Sequence, residues 1–544
     1  MSVHHFLHKA RYAGEVPHTS ETRNILMRMR ETELTAEEVD KALSKMVKQG
    51  TAVQVRTTLT ESVFLVAFAI LLGASNTVIG ILAAIPSITQ FLQLPAVLLV
   101  EKYKNRRRLN FLTQLGNRIG VLFMALIPFV STSEVGVLLL LGAIAIQTIF
   151  TALGSPSWNS WLRDLVPPNK LGDFFATRMA TMGVVGIVVS VLGGIFIGEW
   201  GRVASENVLT GYSILFFFAF LAGMIAIYYT LTTPEPPMLT VHEKMTYSEL
   251  MAKPFQNENF RNLMWFSAIW GFSTGLAAPF FTVYLLIRLG LQIPLAAALA
   301  ALTQLTSVVF FRFWGSLSDR FSNKSTLQVT VPIFMLGTLL WTFSSIAEDY
   351  NLIIPLLVLI HVLTGFSAAG VNLGTNNIGL KLCPRGQSSV YLAAKGVVAA
   401  ITGSIAPILA GSLADLFDLH QLSLSITWVG PHGVIVVDAF RLMGLDFIFI
   451  VSILLGLLAL HRLAYVKEEG EVDEKIVIEA IVAETRRNVK TISTVDGLRH
   501  TFEAPVKLTR KAVRKMKKTK RGRTPSDGSG TPPQDDELGE TREM

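Results

Sequence analysis

The chain has a single cysteine, Cys383, among 544 residues, so neither an internal disulfide nor a cysteine-based metal cluster can form. Charge is scarce as well: 16% of residues are Asp, Glu, Lys or Arg, against 51% hydrophobic. A soluble protein of this length needs more charge to cover its surface, and the composition points to a membrane. No Walker loop, no H-E-x-x-H and no cysteine pair is present, so no ATP site, metal or cofactor is expected. Gly271-Phe272-Ser273-Thr274-Gly275 fits G-x-S-x-G, but it lies inside an apolar run and lacks the strand-to-helix turn that exposes a nucleophile. An enzyme is therefore not expected. No apolar stretch precedes Val53, so a cleavable signal peptide is not predicted and the first membrane helix should act as the insertion signal.

What the chain does have is apolar runs, at about 57–74, 77–100, 109–131, 134–154, 173–196, 208–231, 261–287, 291–314, 326–347, 352–378, 389–413 and 442–463. Each can cross the ~30 Å hydrocarbon core as a helix or nearly so. Bases gather in the even loops. Lys102, Lys104, Arg106, Arg107 and Arg108 follow the second run, and Arg163, Lys170, Lys244, Lys253, Arg320, Lys324, Lys381 and Arg385 follow later even ones. The odd loops are nearly bare, with Arg202 the clear exception. That asymmetry predicts cytoplasmic even loops and both termini cytoplasmic, in a plasma or inner membrane.

Between the eighth and ninth runs lies a charged hairpin, Gly315-Ser316-Leu317-Ser318-Asp319-Arg320-Phe321-Ser322-Asn323-Lys324. A shift of 218 residues lays Glu101-Lys102-Tyr103-Lys104-Asn105-Arg106 on Asp319 to Lys324, acid on acid, base on base and aromatic on aromatic. A shift of 217 matches Asn159 to Asn376, Pro167 to Pro384, Arg178 to Lys395, Gly186 to Gly403 and Gly194 to Gly411. The chain thus reads as two halves of six helices.

G-x-L-x-D-R followed by a base resembles the signature loop of the major facilitator superfamily, with Ser322 standing where that family usually has Gly. The resemblance covers about residues 57 to 463. It implies an all-α integral membrane protein with twelve transmembrane helices in two pseudo-symmetric six-helix bundles, related as parallel repeats. The expected organisation is a cytoplasmic segment 1–55 with a short amphipathic helix, a bundle 56–231, a linker 232–258, a second bundle 259–465 and a tail 466–544. The short helix is read from Thr35-Ala36-Glu37-Glu38, a capping-box pattern, with Gly50 as its stop.

By the same resemblance Gly315, Asp319, Arg320, Lys324, Glu101 and Arg106 form a gating motif. Glu101 would meet the start of helix 11 near Lys395 and Asp319 the start of helix 5 near Arg178, where free N–H groups and the dipole favour an anion. The resemblance also places Glu61, Gln147 and Asn372 on cavity-lining helices, Glu61 being read as a cap at the cytoplasmic end of helix 1. His361, deep in helix 10, reads either as a proton carrier or as a packed histidine bonded to a carbonyl. Arg118, deep in helix 3, reads as a structural buried charge bonded near Gln114 and Asn117.

The net charge of +8 belongs to the tail: ten bases and no acid lie between Lys507 and Arg523, leaving eight minus ten, or −2, for the rest. That block suits anionic lipid, and no folded module accompanies it to suggest nucleic acid. The sequence is expected to encode a secondary transporter moving a small molecule through the bilayer by alternating access. The few deep charges suggest an amphiphilic or apolar substrate, with proton coupling open. The competing expectation is a membrane sensor or scaffold that keeps the fold without transporting.

Overall fold

The computed structural model describes residues 34–131, 134–236, 238, 253–344, 347, 351–384, 388–431, 433–468 and 479. The basic block Lys507 to Arg523 and the linker stretch Met245 to Met251 lie outside the described residues. The helices are α1 (Ala36–Thr60), α2 (Ser62–Leu71), α3 (Asn76–Thr89), α4 (Gln93–Tyr103), α5 (Arg106–Val130), α6 (Glu134–Leu165), α7 (Leu171–Val203) and α8 (Val208–Leu231) in the first half. The second half holds α9 (Glu258–Ala277), α10 (Phe280–Val283), α11 (Ile293–Phe321), α12 (Asn323–Trp341), α13 (Ile353–Lys381), α14 (Ser388–Phe417) and α15 (Leu445–Ala464).

Among the described residues ten helical segments are long and apolar enough to cross a membrane, and α3 with α4, bent by 47°, makes an eleventh. α12 lies where the ninth span is expected, its first turn made polar by Asn323, Lys324, Ser325 and Thr326. The chain is a multi-pass membrane protein.

The capping box forms as expected: Glu38 N donates to Thr35 Oγ1 at 3.3 Å and Thr35 N to Glu38 Oε2 at 2.8 Å. The helix it starts does not stop at Gly50. α1 continues through the expected boundary at 55–56 to Thr60, then breaks at Glu61 and resumes as α2. Gly50 provides clearance instead, since a Cβ there would lie 2.8 Å from Arg178 Cζ. Glu61 consequently sits inside the first span and not at its end, with Ser62 at φ 53°.

Between α14 and α15 lies the only sheet among the described residues. There the chain forms an antiparallel hairpin, β1 (Gln421–Gly430) and β2 (Gly433–Met443). Leu422, Leu424, Ile426 and Trp428 alternate with Gln421, Ser423, Ser425 and Thr427, which is strand periodicity. β1 is exposed along almost its whole length.

Each half is tied down by one carboxylate. Glu235 accepts from the backbone N of Arg106 and of Arg107 at 2.8 and 3.0 Å and from Arg106 Nε at 3.2 Å. Arg106 is fully buried, and its remaining nitrogens reach Asp164, Ser160 and the carbonyl of Pro236. In the second half Glu468 accepts from Lys324 N at 2.7 Å and Asn323 Nδ2 at 2.8 Å, and pairs with Lys381 at 2.9 Å. Both acids meet the otherwise unpaired N–H groups of a helix start. Ser322, at φ 142°, holds the strained turn before α12, and its Oγ accepts from Ser325 N at 3.1 Å. Such backbone is comfortable only for glycine.

Glu235→Ala is expected to destabilise the folded protein by about 2–3 kcal/mol, less than for a fully orphaned charge because Asp164 remains beside Arg106. Thermal unfolding of the purified variant in detergent measures this, and an unchanged midpoint would deny Glu235 its clamping role.

Candidate functional site

The two halves touch along two seams. At the first, α3 meets α14: a Cβ on Gly80 would lie 2.2 Å from the Pro407 carbonyl oxygen, and one on Gly411 2.3 Å from that of Asn76. At the second, α7 meets α11, with a Cβ on Gly194 placed 2.7 Å from Ala297 Cβ and one on Gly186 2.9 Å from Gln304 Nε2. These glycines therefore serve close packing between the halves. Asp415 adds a polar lock, accepting from Asn76 N at 3.0 Å, Thr77 N at 2.9 Å and Thr77 Oγ1 at 2.6 Å.

An apolar cluster that includes Val63, Ile79, Phe280, Ala296, Ala406 and Ala410 joins the halves beside this lock. These contacts run from the face of the odd-numbered loops to about mid-span. At the other face Glu101 and Asp319 are exposed, and neither makes a hydrogen bond or ion pair among the described residues. The expected gate partners are engaged elsewhere. Arg178 donates to Met46 O at 2.6 Å and Gln49 Oε1 at 3.2 Å and stacks over Trp158 at 5.3 Å. Lys395 donates to the carbonyl of Thr375, and exposed Arg320 lies over the ring of Phe321. Gly315 is half-buried.

Within the first half a cavity of about 220 Å3 opens among α1, α5, α6 and α7. Three guanidiniums line it, from Arg56, Arg118 and Arg178, together with Gln49, Asn110, Gln114 and Asn117 and the rings of Phe150 and Trp158. Arg56 stands 20 residues into α1, about 30 Å along its axis, and Arg118 12 residues into α5, about 18 Å. Arg56 donates to Gln147 Oε1 at 3.1 Å and lies 3.9 Å from half-exposed Glu61. Arg118 donates to Asn117 Oδ1, and Asn117 Nδ2 donates to the carbonyl of Gln147 at 2.9 Å. Of the residues named from the sequence, Arg118, Gln114, Asn117 and Arg178 line this cavity, Gln147 and Glu61 lie against Arg56, and Arg56 itself was not named. The signal that could have found it was the helical register running unbroken from Ala36.

Room for Arg118 comes from α8. A Cβ on Gly223 would sit 2.2 Å from Arg118 Nε. The other candidates lie apart from the cavity. His361 is buried against Trp341, its ring nitrogen Nδ1 donating to Leu357 O at 2.7 Å, and Asn372 is exposed. Ser273 is buried and donates to Ser452 O at 2.7 Å, a bond between α9 and α15.

Two helical bundles meeting along a pair of glycine seams, with a polar cavity at mid-span, define a membrane carrier fold. The model of the Major Facilitator Superfamily matches residues 52–407, and the chain belongs to that family of transporters. Solved structures agree on the fold. The nucleoside transporter NupG aligns with a TM-score of 0.56 at 12% identity, covering 79% of this chain and 100% of that one. A bacterial homologue of the iron transporter ferroportin in an inward-facing state gives 0.59 at 12%, covering 79% and 99%. A D-xylose-proton symporter gives 0.57 at 14%, covering 79% and 99%. No curated protein matches the chain.

Gly223→Ala is expected to cost about 1–3 kcal/mol by overpacking against Arg118. Gly142→Ala, where a Cβ meets nothing within 4 Å, serves as the control and should leave the unfolding midpoint unchanged or slightly raised.

Proposed function

We propose that this protein carries a small molecule across the cytoplasmic membrane by alternating access and is not an enzyme. The observation that carries the reading is an asymmetry between the two faces: the halves are packed together from the odd-loop face to about mid-span, while at the other face Glu101 and Asp319 are exposed, with no hydrogen bond or ion pair among the described residues. With the even loops cytoplasmic, as their bases favour, this is a state open to the cytoplasm. A sensor or scaffold that merely kept the fold has no need of a seam built on glycines at both pairs of helices.

In the opposite state Asp319 would approach the start of α7 and Glu101 the start of α14, giving the cytoplasmic side its own locks. Their exposure and lack of partners here suit gates that are open. Gly315 and Arg320 lie with Asp319 in the last turns of α11. Arg106 and Lys324, by contrast, serve as clamps within their own halves.

Proton coupling, where it operates, is assigned to Glu61. This carboxylate lies at the break in the first span beside Arg56, whereas His361 is packed between Trp341 and a carbonyl. The expectation of an apolar substrate rested on placing Glu61 near a membrane face and on overlooking Arg56. With both at mid-span, that expectation lapses.

Two measurements test the reading. In a Cys383→Ser background, a cysteine at Ser205 should react with an impermeant thiol reagent on intact cells and one at exposed Tyr103 should not; the reverse pattern would overturn the orientation. With a reporter cysteine at Ser155 in the cavity, Asp415→Ala should raise labelling from outside several-fold, while Asp319→Asn should raise accessibility from the cytoplasm. If neither substitution moves the reporter, alternating access is wrong for this chain.

A further inference from the structure

The first half shows what a purely structural buried arginine looks like. Arg106 is matched by two carboxylates, and every nitrogen of its guanidinium has an acceptor. Arg56 and Arg118 are buried to a similar degree, 7% and 3% exposed, and are not matched in that way. Among the described residues no carboxylate lines their cavity. Nε of each has no hydrogen-bond partner among the described residues. Arg118 rests on one amide oxygen, and Arg56 on Gln147 and Thr57 with Glu61 no nearer than 3.9 Å. Arg178, the third guanidinium, is occupied by Met46 and Gln49.

Two cations left short of acceptors within a membrane span are costly, and such groups mark ligand paths. We infer that this cavity binds a small organic anion, whose carboxylate or phosphate group is held by Arg56 and Arg118. The planar guanidinium offers paired donors that fit either group. Gln114 Nε2, which gives one N–H to Thr230 Oγ1 at 3.1 Å, has a second to offer the anion, and the rings of Phe150 and Trp158 form an apolar wall for the body of the molecule. A volume of about 220 Å3 falls below the usual range for drug-sized ligands, which sets the size of the anion as small. This assignment rests on the transporter reading for its purpose, but the binding site itself does not.

The test uses the purified full-length protein and four probes: benzoate, phenyl phosphate, inorganic phosphate and neutral benzamide. A molecule that binds only the folded state raises the unfolding midpoint with concentration. Benzoate or phenyl phosphate should raise it well above any effect of inorganic phosphate or benzamide. Arg118→Gln and Arg56→Gln should each weaken the anion by about tenfold or more, as expected for losing a charge-assisted hydrogen bond. Arg118→Lys keeps the charge and loses the fork, so it should bind more weakly than the native protein even if the Gln variants fold poorly. The inference fails if benzamide or inorganic phosphate acts as strongly as the organic anions, if none of the four shifts the midpoint, or if the variants bind as the native protein does.

Counterflow of the binding probe in proteoliposomes separates the two readings. Binding that depends on Arg118 without counterflow leaves the site standing and overturns transport of that probe. Counterflow that persists unchanged in Arg118→Gln leaves transport standing and overturns the site.

Discussion

A guanidinium buried at mid-membrane is tolerated only where the surrounding side chains replace the water it has lost, and this requirement shapes the first half of the molecule. Arg56 and Arg118 reach the same cavity from α1 and α5. Their neighbours are arranged around them: Gln147 faces Arg56, Asn117 faces Arg118, and Gly223 removes the side chain that would otherwise collide with Arg118. The break at Glu61 belongs to the same arrangement. It places a carboxylate within 3.9 Å of Arg56, at the point where the first span changes from a long polar-faced helix to the short apolar α2.

The charges at the membrane face do different work. Glu235 lies four residues beyond the end of α8 and Glu468 four beyond the end of α15, and each caps the start of a helix in its own half. The further partners differ in sign between the halves: Asp164 meets Arg106 in the first, whereas Lys381 meets Glu468 in the second. The two bundles thus share a geometry while distributing their charges differently. What the repeat preserves is an anion at the helix start, where unpaired N–H groups and the dipole favour one.

The bundle architecture was legible because it rests on long apolar runs and on an internal repeat of charged turns, both of which are one-dimensional signals. Strained Ser322, read as a departure from glycine, was likewise visible in the residue itself. The first span was harder. Its polar half, Ala36 to Arg56, has no hydrophobic run to announce it, and Gly50 looked like a stop because clearance for Arg178 cannot be seen along the chain. The roles of Arg106 and Glu235 depended on a contact across 129 positions. The hairpin is legible in the alternation of Leu422, Leu424, Ile426 and Trp428 with polar residues, a signal too short to stand out beside the long apolar runs.

The seams explain how such a structure can close without becoming locked. Gly80 and Gly411 bring backbone against backbone between α3 and α14, and Gly186 and Gly194 bring α7 to within side-chain contact of α11. In lipid, association of helices gains from close packing of small residues and not from the hydrophobic effect, since lipid tails are as apolar as leucine. Sliding or rocking along such a seam exchanges one set of small contacts for another, at little net cost. Directionality at the first seam comes from Asp415, which accepts three hydrogen bonds from Asn76 and Thr77. Each seam thus joins close packing of small residues to a polar contact, Asp415 with Asn76 and Thr77 at the first and Ser190 Oγ donating to Ala297 O at 3.1 Å at the second.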